Sequence, residues 1–340
     1  MPMDVNLSGA VTLPSITVPM SEALSPYAQQ FYASFLHMAP GNLVRNEDET
    51  WDDARNRWKG VWDLLVAQAR GVFPVAIQRD VIAGVNVDVI SPSGDAAAAA
   101  GTSRIVLFAH AGAFCNGQGA ISEAIGLSSV ANIKVISIDY SLAPESKFPT
   151  QINQILAVYQ ALLKQQKPES IALVGTSAGG QLMQMAVTRM ISEDIPRPAA
   201  LALFSAGLSQ VLSPSGSRGD TGHYAAALEG YVFYGGATPT PLATDLTVFL
   251  GDVDPCSPSV APLFSPEILA QFPPTVFLGG GRDETLSTVL CSHRALLAAG
   301  VPAELHVWEG LCHGWWLAAA LPEAVDAFGT VRKFFDRYQR

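Results

Sequence analysis

Ser177 sits in the run Gly175-Thr176-Ser177-Ala178-Gly179-Gly180, directly after the apolar stretch Ile171-Ala172-Leu173-Val174. A strand that feeds a G-x-S-x-G turn lifts a serine hydroxyl clear of its sheet, and the small residues at Gly175, Gly179 and Gly180 let the chain reverse sharply into a helix. The serine then stands at a helix N-terminus, where the positive end of the dipole faces any developing oxyanion. A serine hydroxyl is a poor nucleophile at neutral pH until a base removes its proton. The imidazole that serves as that base needs a carboxylate on its other nitrogen to fix its tautomer.

Three further segments supply the missing parts. Upstream, Ile105-Val106-Leu107-Phe108-Ala109 runs into His110-Ala111-Gly112-Ala113-Phe114, a turn able to aim backbone N–H groups at a substrate carbonyl oxygen. Downstream, Thr275-Val276-Phe277-Leu278 ends in Gly279-Gly280-Gly281-Arg282-Asp283-Glu284, which puts two adjacent carboxylates beyond a strand end; composition alone does not separate them. Finally, Glu304-Leu305-His306-Val307-Trp308 leads to Glu309-Gly310-Leu311-Cys312-His313-Gly314, with a histidine on the loop after the next strand. The chain order is serine, acid, histidine, all on loops at the carboxyl ends of strands.

These segments resemble the hormone-sensitive-lipase-like esterases, the bacterial family IV carboxylesterases. His110-Ala111-Gly112-Ala113 stands against the family's H-G-G-G, Tyr140-Ser141-Leu142-Ala143-Pro144-Glu145 against Y-R-L-A-P-E, and Gly175 to Gly180 against G-D-S-A-G-G. Gly281-Arg282-Asp283, Ala299-Gly300-Val301-Pro302-Ala303-Glu304 and His313-Gly314 complete the likeness, which spans roughly residues 75–335. The resemblance implies Ser177 as nucleophile, His313 as general base and then acid, and Asp283, rather than Glu284, as the group that orients His313. It implies oxyanion donors in the backbone N–H groups of Gly112, Ala113 and Ala178. His110 is expected to brace that turn. The other histidines have structural readings: His306 within a strand, His293 in a helical stretch, His37 and His223 in cap segments.

Some positions depart from the family pattern. Ala113 replaces a glycine, and if a positive φ is retained there the alanine stores roughly 1 kcal/mol or more of strain. Ser141 stands in place of an arginine, so a structural ion pair is expected to be missing. Ala111 and Thr176 also differ, but no catalytic atom is lost.

The elements that must position these residues alternate strand with helix. Core strands are expected over 85–90, 105–109, 135–139, 171–174, 201–204, 275–278 and 304–307, with helices over 151–165 and 288–299. That pattern predicts an α/β class: an α/β-hydrolase fold with a mostly parallel central sheet flanked by helices, right-handed crossovers, a few antiparallel strands at the N-terminal edge, and a helical cap. Residues 1–72 read as an N-terminal helical cap segment in which Ser25-Pro26 opens a helix and Trp51, Trp58, Trp62 and Leu65 share one face. A core-packing stripe is the plainer alternative for that face. A second cap segment, or a surface insertion, falls at 207–244, leaving 73–206 and 245–340 as the catalytic domain. The alanine run 96–100 reads as a surface turn.

Composition fits a heavily buried α/β protein: 340 residues, 49% hydrophobic and 15% charged. The net charge of −10 disfavours nucleic acid and anionic membrane surfaces as partners. Cys115, Cys256, Cys291 and Cys312 lack metal-site spacing, so neither a metal centre nor a disulfide scaffold is expected, and reduced thiols in a cytoplasmic protein are. Asp4, Pro14 and Pro19 interrupt any signal-like apolar core, and no stretch is long enough to span a bilayer.

The expected reaction is hydrolysis of a small-molecule carboxylic ester, of short to medium acyl chain, through an acyl-enzyme on Ser177 with no cofactor. Phe114, Trp315 and Trp316 are expected as pocket walls, with core packing as the alternative for the tryptophans. An amidase or lactonase using the same triad is the nearest alternative function, and a non-catalytic ligand-binding homologue is another. A homodimer is implied by the resemblance alone.

Overall fold

The computed structural model describes residues 4–5, 11–12, 19–38, 48–93, 104–210 and 244–340. The alanine run 96–100, His223, the side chain of His37 and nearly all of the expected second cap segment lie outside these residues.

A short antiparallel pair, Asp4–Val5 with Val11–Thr12, precedes helices α1 (Pro26–Met38) and α2 (Trp51–Val72), the first beginning at the expected Pro26. Thr50 caps α2 by accepting from the Asp53 N–H at 3.1 Å, and Asp52 and Asp53 in the first turn suit the positive end of the helix dipole. An eight-stranded sheet follows, built from β1 (Val75–Ile82), β2 (Val85–Pro92), β3 (Ile105–Ala109), β4 (Lys134–Ile138), β5 (Ile171–Thr176), β6 (Ala200–Phe204), β7 (Thr275–Gly280) and β8 (Ala303–Trp308). Its spatial order is β1-β2-β4-β3-β5-β6-β7-β8. Only β1–β2 and β2–β4 pair antiparallel; β4 to β8 run parallel, as the alternating pattern predicts. The crossover helices are α3 (Ser122–Ala131), α4 (Thr150–Leu163), α5 (Ala178–Ser192) and α7 (Leu286–Ala298), with α6 (Thr244–Leu250) before β7 and α8 (Pro322–Tyr338) closing the chain.

β3, β5 and β6 are buried along their whole length because helices cover both faces of the sheet. Side chains alternate between two cores. Leu107, Leu173, Leu203 and Phe277 point to one with α4 and α5, while Val106, Val174, Ala202 and Val276 point to the other with α3 and α8. Each such large side chain, fully buried, contributes about 1.5–3 kcal/mol. Edge strand β1 is mostly exposed, and the polar and charged residues Gln78, Arg79 and Asp80 at its middle blunt the free edge.

The tryptophan stripe of α2 takes the core-packing alternative in part. α2 packs on α3, with Trp62 and Leu65 buried and Trp58 stacked on Trp62 at 5.5 Å. Trp51, the first residue of the helix, instead packs against the opposite core. A spacing that puts four residues on one helix face does not require one neighbour for all of them.

Candidate active site

β5 ends at Thr176 and α5 begins at Ala178, leaving Ser177 in the turn with φ 54° and ψ −120°. L-residues avoid this region at a cost of about 1–3 kcal/mol, so surrounding contacts must hold it. They do: the Ser177 N–H donates to the Phe204 carbonyl at 2.8 Å, and its own carbonyl accepts from Gln181 N–H at 3.0 Å. Gly179 is obligatory for the same turn, since a Cβ there would fall 2.1 Å from the Ala109 carbonyl oxygen. Helix α5 can press against the end of β3 only without that atom.

His313 lies on the loop after β8. Its Nε2 is 2.8 Å from Ser177 Oγ and its Nδ1 is 3.0 Å from Asp283 Oδ1. Asp283, on the loop after β7, is wholly buried, while His313 keeps a 17% exposed side chain. Asp283, rather than its neighbour Glu284, is thus the carboxylate that meets the imidazole. Burial alone would raise the Asp283 pKa. The charge and hydrogen bond of His313, the Ser205 hydroxyl and the Thr285 N–H overcome it and hold the group below the usual carboxylate value. Oδ1 also accepts from the Thr285 N–H and hydroxyl, both at 2.8 Å, and Oδ2 accepts a short hydrogen bond from Ser205 Oγ. Sequence reasoning missed Ser205; its one signal was a polar residue directly after the 201–204 strand.

The turn after β3 carries three successive positive φ angles: Gly112 at 133°, Ala113 at 51° and Phe114 at 66°. Ala113 therefore keeps the left-handed conformation despite its Cβ, and pays the strain anticipated from the sequence. Gly112 must be glycine, because a Cβ would sit 2.1 Å from the Asn116 carbonyl oxygen. The Gly112 carbonyl accepts from the N–H groups of Cys115 and Asn116 at 3.0 and 2.9 Å, which closes the turn. Ala178 is the first residue of α5, where an N–H has no partner in the helix ladder.

His110 is buried, and desolvation lowers its pKa, so the ring is neutral. Its Nδ1 lies 2.6 Å from the Ala111 carbonyl, and its ring stacks on Tyr140 at 4.1 Å. The Tyr140 hydroxyl donates to the His110 carbonyl at 2.9 Å, so the histidine is locked from both sides.

Of the expected pocket walls, Phe114 follows the turn and stacks on Phe249 at 4.2 Å. Trp315 and Trp316 need correction as wall residues: they are 1% and 0% exposed and pack in the α3/α8 core, Trp316 edge-on to Phe204 at 4.8 Å and Trp315 against Trp308 at 5.2 Å. The short helical turn that carries them closes back onto α8, which turns both rings inward. Ser141 makes no ion pair, as its replacement of an arginine implies. Ser141 bonds Gln154 instead, at 2.9 and 2.8 Å, but Glu145 of the same loop pairs with Arg55 of α2 at 2.6 Å. None of the four cysteines is in a disulfide; Cys115 and Cys312 are buried.

The sequence profile of the α/β-hydrolase fold matches residues 106–317. An esterase of Acinetobacter venetianus is 29% identical over 242 residues, 70% of this chain and 76% of that protein. The solved structure of esterase E25 superimposes with a TM-score of 0.80 at 26% identity, covering 97% of this chain and 99% of that one. An esterase from the bacterial hormone-sensitive lipase family shares the fold with a TM-score of 0.75 at 24% identity, covering 93% and 99%. With a nucleophile turn, a buried acid and a bridging histidine at the carboxyl ends of its parallel strands, the chain belongs to the α/β-hydrolase-fold family, in which its motifs resemble the hormone-sensitive-lipase-like branch.

Proposed function

We propose that the protein is a serine carboxylesterase that hydrolyses short- to medium-chain carboxylic esters through an acyl-enzyme on Ser177. The observation that carries this reading is His313 bridging Ser177 Oγ and Asp283 Oδ1 at hydrogen-bond distance on both sides. The Oγ proton passes to Nε2 as Oγ attacks the ester carbonyl carbon. Negative charge then develops on the carbonyl oxygen, toward the N–H groups of Gly112, Ala113 and Ala178. His313 returns the proton to the leaving alcohol, and a water activated by the same imidazole hydrolyses the acyl group. Asp283 stays ionised throughout and stabilises the imidazolium.

The esterase names of the relatives support the same activity. Residues 1–72 contribute to a cover over the site. The protein acts on small molecules, with net charge −10 set against nucleic acid. No helix among the described residues is long and apolar enough to cross a membrane. Unpaired cysteines are compatible with a cytoplasmic setting. Strand β8 ends the sheet with Val307 exposed, which offers an edge for a homodimer.

Hydrolysis of p-nitrophenyl esters from acetate to palmitate tests the reading. A short-chain optimum that disappears in Ser177→Ala and His313→Ala supports it. No turnover by folded wild type, with cleavage of amides or lactones instead, replaces it with the same machinery on another acyl donor.

A further inference from the structure

We infer that Arg55, on the N-terminal helix α2, is a positioning residue that holds the oxyanion turn in its reactive shape. Its side chain is 19% exposed and makes contacts on two loops at once. Nε donates to the Cys115 carbonyl at 2.8 Å, and Nη2 donates to the Ala143 carbonyl at 2.8 Å. Glu145 receives the fork, Oε2 from Nη2 at 2.6 Å and Oε1 from Nη1 at 3.0 Å.

Both carbonyls belong to the frame around the strained turn. Cys115 follows Ala113 and Phe114, the two non-glycine residues of this turn with positive φ, and its N–H closes the turn on the Gly112 carbonyl at 3.0 Å. Ala143 donates its own N–H to the Phe114 carbonyl at 2.9 Å. The guanidinium therefore fastens the outgoing end of the turn to the loop that supports its middle. Backbone strain of this kind persists only where neighbours over-determine it, and an alanine at φ 51° returns to the ordinary helical or extended region when released. Release would rotate the 112–113 and 113–114 peptides, and with them the N–H aimed at the oxyanion. A planar fork is needed, since a lysine ammonium is a single point that cannot span two carbonyls and a carboxylate in fixed directions. Glu145 orients the fork, and Asp52 lies 3.4 Å from Nη1 on the exposed side.

The consequence is specific to catalysis. A misplaced oxyanion donor weakens binding of the tetrahedral state and leaves ground-state ester binding nearly intact. This inference rests on the acyl-transfer reading above, and a fluorophosphonate titration of active sites separates the two. Wild type that the probe leaves unlabelled sinks the acyl-transfer reading itself. With labelled wild type, kcat per titrated site, KM for p-nitrophenyl butyrate and Kd for phenylboronic acid, whose adduct on serine is tetrahedral, are measured in Arg55→Ala, Arg55→Lys and Glu145→Gln. Expected for Arg55→Ala is a loss of about tenfold to a hundredfold in kcat, a KM within about twofold, and boronate affinity weakened in proportion to kcat. Arg55→Lys should fall between, and Glu145→Gln should lose least because both carbonyl bonds remain. Wild-type kcat per titrated site and wild-type boronate affinity in the Arg55 variants, even with a lowered Tm, overturn the inference. If Arg55→Ala does not fold, the same readouts on Arg55→Lys and Glu145→Gln decide it.

Discussion

Ser205 donates its hydroxyl to Oδ2 of Asp283, the carboxylate oxygen that His313 leaves unused. The buried Asp283 carboxylate is thereby satisfied on both oxygens, and that is why it remains ionised there. Ser205→Ala removes one of the bonds that hold the Asp283 pKa down. A carboxylate with a depressed folded pKa contributes stability above its unfolded pKa, near 3.9, and loses it as pH falls through the folded value. The variant is expected to lose about 1–3 kcal/mol near neutral pH, with the gap narrowing in acid below the unfolded pKa. Denaturant unfolding of both proteins from pH 3 to 8 checks this; a gap independent of pH contradicts it.

Asp283→Asn leaves the shape of the site and removes the charge that fixes the His313 tautomer. Asparagine can present an N–H to Nδ1, which puts the proton on Nε2, the wrong nitrogen for accepting from Ser177. Turnover is expected to fall by about three to four orders of magnitude with KM little changed. Steady-state kinetics on p-nitrophenyl butyrate measure it, and a loss under tenfold would mean that another carboxylate serves.

Glu123, in the first turn of α3, is 1% exposed and faces the Thr176 hydroxyl next to Ser177. Burial pushes its carboxyl up to about 8, with Thr176 opposing. Stability from the neutral carboxyl is full below the unfolded pKa near 4.3 and is lost as pH rises through the folded value, at about 1.4 kcal/mol per pH unit across that window. Glu123→Gln cannot ionise. Its melting temperature should exceed that of wild type by a margin that grows from pH 5 to 8 and then levels. Parallel melting curves across that range would show that Glu123 is not held neutral.

Ala113→Gly replaces a strained alanine by the residue its backbone favours. About 1 kcal/mol of relief, or roughly 2 °C in Tm for a chain of this size, is expected, with kcat within about twofold because the N–H donor is kept. Differential scanning fluorimetry with a parallel kinetic assay tests it, and a lowered Tm would place the strain elsewhere.

The parts legible in the sequence were those set by local pattern. Continuous apolar runs at 105–109, 171–174, 201–204 and 275–278, each bounded by turn residues, read as strands buried on both faces, and the glycine-rich turns after 171–174 and 275–278 carry Ser177 and Asp283, while His313 lies on the glycine-flanked loop after 304–307. Contacts between distant segments were not legible. Arg55 meets Cys115 and Glu145 across 60 and 90 residues, and nothing in the helical pattern of 51–72 singles it out from Arg57 or Arg70. Trp315 and Trp316 follow His313 closely enough to suggest a pocket, but the turn back to α8 decides which way they face. Ser205 and Glu123 are ordinary polar residues until the fold buries them beside Asp283 and Thr176.

The central claim is a covalent acyl intermediate on Ser177, formed with His313 as base. Acid quench during turnover of p-nitrophenyl butyrate, followed by peptide mass spectrometry, tests it most directly. The account predicts one butyryl group on the peptide that contains Ser177 in wild type, none in Ser177→Ala, and a much slower appearance in His313→Ala. Turnover undiminished in Ser177→Ala, or butyryl found on another residue in wild type, would contradict it.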